Sequence, residues 1–253
     1  MNGPVLGAVV LGAAYALLAV RERDRHGWRA WPTASFLAGC AVLACALCPA
    51  LDRYADADFT GHMAQHLLLA MLAPLLLVLG APVTLLLRSL PPRWGRALVR
   101  VLRSRPLTVL CRPWVALLLS SGATVAYYAT PLYGASTRHA WLHAAVHLHF
   151  VASGYLFAWV LVGLDPGPAR PRVPARLVVL GVAVAVHATA AQLLYAGLLV
   201  RADVPVAQLR SAGDLMYVQG DLLEVLLALA LLLVRGPGAV RTARAVTGPA
   251  PQA

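Results

Sequence analysis

Long apolar runs separated by short polar segments constrain the fold of this chain more than any other feature. A transmembrane helix needs about 20 mostly apolar residues, because it rises about 1.5 Å per residue through a hydrocarbon core about 30 Å thick. Runs near this length occur seven times, which predicts an all-α, polytopic membrane protein built as a seven-transmembrane-helix bundle. The runs cover residues 4–20, 34–51, 62–87, 114–131, 141–164, 175–200 and 215–234.

Arginine residues distinguish the two sides of this predicted bundle. All 21 basic residues are arginines, and 17 of them lie after the first, third and fifth runs and in the carboxyl-terminal tail. Because basic residues concentrate in cytoplasmic loops, we expect the amino terminus outside and the carboxyl terminus in the cytoplasm of a bacterial-type inner (plasma) membrane. A seven-span domain is predicted over 1–236 and a disordered cytoplasmic tail over 237–253.

The composition limits what the positive charge can mean. The 253 residues are 60% hydrophobic and carry a net charge of +11. Since the arginines lie between apolar runs and not on an aromatic-interleaved surface, we expect contact with the lipid bilayer and no nucleic-acid partner. The sequence contains no nucleophile elbow, P-loop or dinucleotide-binding motif, and we expect a protein that is not an enzyme.

The third run opens with two histidines, His62 and His66. Residues at i and i+4 lie on the same face of a helix, about 6 Å apart along its axis, so both imidazoles point the same way. Ionisable side chains inside a span are costly and tend to mark ion, proton or cofactor sites. This pair predicts part of a metal site near the outer membrane surface.

A second row of histidines enters the fifth run from the same predicted side. His139, His143 and His147 follow one another at intervals of four residues. Two helices are therefore predicted to present imidazoles at similar depth in the outer leaflet, and we expect these imidazoles to converge on a shared pocket.

The sixth and seventh runs offer further ligands. His187 is predicted near the middle of the membrane, where it can be a ligand, a proton relay or an interhelical hydrogen-bond partner. Met216, Asp221 and the weaker candidate Glu224 lie in the first turns of the last run. We expect these side chains to complete or tune the site that the two histidine rows form.

A Cys-x-x-Cys motif adds two weaker candidates. Cys45 and Cys48 lie near the outer end of the second run, at a depth comparable to that of the histidines. Cysteine is also a common small packing residue in apolar helices. Imidazole and thioether are ligands that copper favours, with thiolate where Cu(I) is held, so this motif could add thiolates to a copper site.

Two other functions fit histidines inside spans. Opposed histidines on two helices can hold a haem, which would make the protein a b-type cytochrome recognisable by its Soret band. A metal or proton transporter would use His187 to relay charge through the midplane. Against transport, the sequence shows no inverted repeat and no pair of broken helices.

Three segments of the chain resemble a known family. They are HMAQHLLLAMLAPLLLVLGAP from His62, HAAVHLHFVASGYLFAW from His143 and GDLMYVQGDLLEVLLAL from Gly213. They are similar to the third, fifth and last spans of the polytopic CtaG family, which is associated with assembly of cytochrome c oxidase. The resemblance implies a membrane assembly factor that delivers or inserts copper into the oxidase on the outer face.

The resemblance also implies ligands and partners. The residues that match are His62, His66, His143, His147 and the stretch from Met216 to Glu224. The implied partners are cytochrome c oxidase subunits and a copper donor whose identity the sequence does not give. A homo-oligomer is compatible with the sequence.

Overall fold

The computed structural model describes residues 3–168, 171–200 and 204–233, and every regular element in these ranges is a helix. This result confirms the all-α prediction. In chain order the elements are α1 (Gly3–His26), α2 (Ala30–Ala46), α3 (Pro49–Ala57), α4 (Phe59–Leu67), the π-helical turn π1 (Leu68–Leu72), α5 (Ala73–Leu79), α6 (Pro82–Ser89), α7 (Pro92–Leu102), α8 (Arg105–Leu110), α9 (Pro113–Leu117), the π-helical turn π2 (Leu118–Gly122), α10 (Ala123–Ala129), α11 (Leu132–Ser136), α12 (Ala140–Val162), α13 (Val173–Tyr195) and α14 (Val206–Leu233).

Five helices in the described part of the chain are long and apolar enough to cross a membrane. They are α1, the continuous run of α4, π1 and α5, and the three long helices α12, α13 and α14. The helices α2 and α3 meet at an angle of 52° and make a sixth span if the pair is counted as one. The chain is therefore a membrane protein with several apolar helices.

The predicted fourth span differs from the other predicted spans. Its helical run from Pro113 to Ala129 is interrupted by π2 and is shorter than the ~20 residues that a span needs. The count of seven spans and the sides on which the two ends lie stay predictions. The predicted disordered tail, 237–253, lies outside the described residues.

The predicted third span, 62–87, ends earlier than its apolar run. The helix stops at Leu79, and Ala81 adopts a left-handed conformation with φ of 47° before α6 begins at Pro82. Proline disfavours helical geometry in the residue before it, but it suits the first position of a new helix. The Tyr15 hydroxyl donates a hydrogen bond to the Gly80 carbonyl over 2.6 Å and holds the turn against α1.

The run from Phe59 to Leu79 is the centre of the bundle. It packs against α2, α12 and α14. Of its most apolar stretch 61% is buried, which is the largest share among the five candidate spans. Polar side chains on this run therefore face protein on several sides.

A proline explains where the first π-helical turn falls. Pro74 has no N–H to donate to the Ala70 carbonyl four residues earlier, and its ring crowds that carbonyl. The backbone widens into π1 just before Pro74. Such turns are rare in proteins overall, and those that occur are often found at functional sites.

Candidate metal-binding cavity

Asp58 begins the helix that carries the first histidine pair. Its carboxylate accepts a hydrogen bond from the Thr60 backbone N–H over 2.7 Å, which caps α4. His62 and His66 follow within this helix and are only 6% and 4% exposed. Both imidazoles therefore lie inside the bundle and not against lipid.

Aromatic rings enclose His62. The ring centroids of Tyr133, Phe59, Tyr128 and Tyr127 lie 5.1, 5.7, 6.0 and 6.1 Å from that of His62. The His62 Nε2 atom is buried and has no hydrogen-bond partner among the described residues. His62 is thus packed in an aromatic box, one helical turn from His66.

His66 opens onto a cavity inside the bundle, which we call the interior cavity. It measures about 50 Å³, whereas a single water needs roughly 10–15 Å³. A metal ion bound by side chains of the wall therefore fits in this space. The α4–α5 run, the 113–129 run, α12, α13 and α14 all contribute to its wall. Its polar and sulfur-bearing residues are His66, Met71, Ser120, Ser121, Thr124, His187, Met216 and Glu224.

His187 reaches the interior cavity from α13 and is held by the backbone of α14. Its Nε2 atom lies 3.2 Å from the Met216 carbonyl oxygen. With the proton on Nε2 this contact is a hydrogen bond, and the lone pair is then on Nδ1. Gly220 makes the approach possible, because a Cβ at this position would collide with the His187 ring.

Glu224 is the carboxylate of the interior cavity. It is only 5% exposed, and its Oε2 atom is buried with no hydrogen-bond partner among the described residues. Asp221 lies one turn earlier on α14, does not line the cavity and has one similarly unpartnered oxygen. Buried carboxylates in a span are expensive unless they are paired or bind a cation.

A close helix contact shapes the opposite wall. Gly154 of α12 packs directly on the Ala70 carbonyl of π1, and a Cβ there would collide with that backbone. The π-helical turn also inserts one extra residue into the helix, so Met71, at i+5 from His66, turns toward the cavity.

His143 and His147 lie in a different place, which we call the outer groove. Their ring centroids are 4.2 Å apart, and both residues line a groove of about 520 Å³ together with Asp52. The fully buried Gln65 donates hydrogen bonds to the Asp52 carboxylate over 3.1 Å and to the Ala46 carbonyl over 2.8 Å. Asp52 is therefore fixed beside the histidine pair.

Two aromatic rings pack against His66. His66 contacts Phe150 at 4.5 Å and Tyr128 at 5.8 Å between centroids. Within the ranges that the structure describes, no ring contact joins His147 to His62 or His66, although His147 interacts electrostatically with both. His66 lines the interior cavity and His147 lines the neighbouring outer groove, and the joint binding of one metal ion by the two histidine rows stays a prediction.

The remaining predicted ligands lie outside both places. His139 is exposed at the amino-terminal end of α12. Cys45 is exposed and Cys48 is half-buried, with its sulfur accepting a hydrogen bond from the Leu51 N–H over 3.5 Å. Neither cysteine lines the cavity or the groove. Across the described residues, no group of three or more His, Cys, Asp or Glu side chains stands ready to hold a metal ion.

Sequence reasoning missed four lining residues, Met71, Ser120, Ser121 and Thr124. An available signal for Met71 was Pro74, which disturbs the helix just after His66 and changes which residues share its face. The residues from π2 and α10 had no comparable signal, because an apolar run with two serines and a threonine is common in a span.

The helices and the interior cavity define a class: a polytopic helical membrane protein with imidazole, thioether and carboxylate side chains gathered inside its bundle. Comparison with protein families matches residues 13–235 to the cytochrome c oxidase caa3 assembly factor family, Caa3_CtaG. Because this match covers most of the chain, the chain belongs to that family. The resemblance of its third, fifth and last spans is thereby confirmed.

Three curated relatives come from mycobacteria. The chain is 38% identical over 188 residues to uncharacterized proteins of Mycobacterium bovis and Mycobacterium tuberculosis, and 36% identical over 192 residues to one of Mycobacterium leprae. The alignments cover 71–72% of this chain and 28–29% of the relatives, so the chain spans less than a third of their length. No solved structure matches the chain.

Proposed function

We propose that this chain is a membrane assembly factor for cytochrome c oxidase that binds copper as cargo and delivers or inserts it into the oxidase. The family description supports the oxidase as partner. One observation carries the copper step: His66 and His187, from two different spans, line one buried cavity with Met216 and Glu224. Ionisable side chains placed inside spans usually mark ion or proton pathways.

The donor chemistry of these residues fits copper. Imidazole suits copper, and thioether sulfur selects Cu(I) over hard cations such as Mg²⁺ and Ca²⁺. His66 Nδ1 and Glu224 Oε2 are buried polar atoms with no hydrogen-bond partner among the described residues, so both are free to bind a cation. The described residues hold no group of three or more His, Cys, Asp or Glu side chains placed to bind a metal ion, and the proposed site therefore includes methionine sulfur beside the two imidazoles.

Copper handling of this kind requires no turnover of a small substrate, and we propose a carrier and not an enzyme. The arginine distribution supports a multi-pass protein of the plasma membrane with the histidine-bearing ends of its spans toward the outside. Oxidase subunits receive the copper, and a separate donor supplies it. This function is compatible with a homo-oligomer.

The test combines metal content with oxidase assembly. A strain lacking this protein is complemented with the wild-type chain, with a His66→Ala, His147→Ala double variant and with His149→Ala, an exposed histidine of α12 that lines neither place. We expect copper in the purified wild-type and His149→Ala proteins, and loss of copper and of assembled oxidase in the double variant. Wild-type protein without copper would overturn the proposal, and a Soret band in that protein would identify a b-type cytochrome.

A further inference from the structure

We propose that copper is held in the interior cavity and not in the outer groove, and that the cavity takes it as Cu(I). His66 and His187 supply nitrogen, Met71 and Met216 supply sulfur, and Glu224 supplies the balancing negative charge. This inference rests on the proposed function. It assigns the cargo to one of two places that the sequence could not distinguish.

The two imidazoles are arranged as ligands. His66 is buried and lines the cavity, and its Nδ1 has no hydrogen-bond partner among the described residues. His187 uses Nε2 on the Met216 carbonyl, which leaves the other ring nitrogen unprotonated. Histidines that bind metals commonly donate their second N–H to a backbone carbonyl in this way, which fixes the tautomer and the ring orientation.

Sulfur distinguishes the interior cavity from the outer groove. Met71 on π1 and Met216 on α14 both line the cavity, and Met216 is completely buried. Among the described residues that line the groove there is neither methionine nor cysteine, and its ligands are His143, His147 and Asp52. Soft thioether ligands select Cu(I), so the cavity has the donor set for that oxidation state.

The interior cavity also offers a counter-charge for a cation. A cation inside an apolar bundle is strongly disfavoured unless a counter-charge lies beside it. Glu224 is the only carboxylate among the described residues that line the cavity. Glu224 therefore supplies a negative charge beside the bound ion, and Asp221 lies one turn earlier on α14.

The size and closure of the two places agree with this assignment. The interior cavity measures about 50 Å³ and its two histidines are buried, whereas the groove measures about 520 Å³ and its histidines are half-buried. A buried ligand meets less of the water that competes with it for a bound ion. The groove therefore suits brief contact with an ion, and the cavity suits retention.

The experiment measures Cu(I) binding to the detergent-purified full chain under anaerobic conditions, by competition with a coloured Cu(I) chelator and by X-ray absorption. The cavity variants are the Met71→Leu, Met216→Leu double variant and Glu224→Gln. The control is Met63→Leu, which removes a thioether that is as fully buried as that of Met216 and does not line the cavity. Because leucine and methionine have similar volumes, these exchanges are well tolerated in cores.

We expect copper–sulfur scattering in the wild type and in Met63→Leu, and its loss in the double methionine variant. Glu224→Gln and the double methionine variant should each weaken Cu(I) affinity by at least about 10-fold, because losing a residue that only orients a metal ligand already costs roughly 10–100-fold. A His143→Asn, His147→Asn variant should stay within about threefold of the wild type. Circular dichroism and gel filtration confirm that each variant is folded.

The outcomes separate the two proposals. Wild-type protein that binds no copper refutes the copper function itself, and this inference with it. Wild-type protein that binds copper without sulfur scattering, and loses it only in the groove variant, refutes the cavity assignment and leaves the copper function standing. Loss of affinity in the cavity variants alone supports both.

Discussion

The interior cavity and the outer groove each contain two histidines, but they acquire them differently. His143 and His147 are one turn apart on α12, so helical geometry alone brings their rings to 4.2 Å. His66 and His187 are 121 positions apart and meet only because α4, α13 and α14 pack together. The comparison shows that regular spacing predicts a histidine pair reliably, whereas it does not predict which pair is enclosed with a carboxylate and with sulfur.

The largest effect is expected from a substitution that fills space at the wall of the interior cavity and leaves the outer groove unchanged. Gly154→Leu places a side chain against the Ala70 backbone carbonyl, which cannot move without disturbing π1. We expect the free energy of unfolding to fall by about 3 kcal/mol, the upper part of the range for overpacking, and copper binding to be lost. Denaturant titration in mixed micelles measures the first effect. Gly181→Leu, at a position with no atom within 4 Å of a Cβ, is the control and should stay near the wild type.

A smaller change tests the cavity through one of its ligands. Gly220→Ala puts a Cβ against the His187 ring and forces this ring off the Met216 carbonyl. We expect a loss of about 2 kcal/mol in unfolding free energy and weaker Cu(I) binding in a chelator competition. Binding equal to that of Gly181→Ala would show that the position of His187 does not matter for copper.

The groove is tested separately through Gln65. Gln65→Leu removes the hydrogen bonds to Asp52 and to the Ala46 carbonyl, at a cost of about 1 kcal/mol in unfolding free energy. We expect Cu(I) affinity to be unchanged, because neither lost partner lines the interior cavity. Thermal unfolding of Gln65→Leu measures this loss of stability, and Gln192→Leu, which changes an exposed glutamine of α13, is the control. A large fall in affinity would instead implicate the groove.

The smallest effect is expected at the Cys-x-x-Cys motif. Cys45 is exposed and Cys48 makes one long sulfur hydrogen bond, so a Cys45→Ser, Cys48→Ser variant should change the unfolding free energy by less than about 0.5 kcal/mol. Its copper content, measured by elemental analysis, should equal that of the wild type. Loss of copper would show that thiolates belong to the site after all.

Much of the fold followed from the sequence, because bilayer thickness and helix rise fix the length of a span. The all-α class and the runs that became α1, α12, α13 and α14 were predicted on that basis. The predicted third span was too long, since apolar character continues through Gly80 and Pro82 while helical geometry does not. Hydropathy reports where a segment can lie, and backbone sterics decide where a helix ends.

The candidate residues were predicted in part. His187, Met216 and Asp221 were named as residues that complete or tune a site centred on four other histidines, and Glu224 was a weaker candidate. The structure places His187, Met216 and Glu224 around one cavity with His66 and leaves Asp221 outside its lining. Sequence reasoning ranked regular i, i+4 rows first, since that signal is visible in one helix. Met71 lines the interior cavity because of a π-helical turn, which a helical period of 3.6 residues does not predict.

The sequence by itself determined that this chain is a helical membrane protein, that it carries histidines on a shared helix face, and that it resembles the family to which it belongs. Those properties depend on local spacing and on composition. Only the tertiary structure decided that His62 lies in an aromatic box, that His143 and His147 line an open groove, and that His66 shares a cavity with His187 and Glu224. The physical reason is that contacts between helices depend on how closely backbones approach, and here Gly154 and Gly220 set that approach.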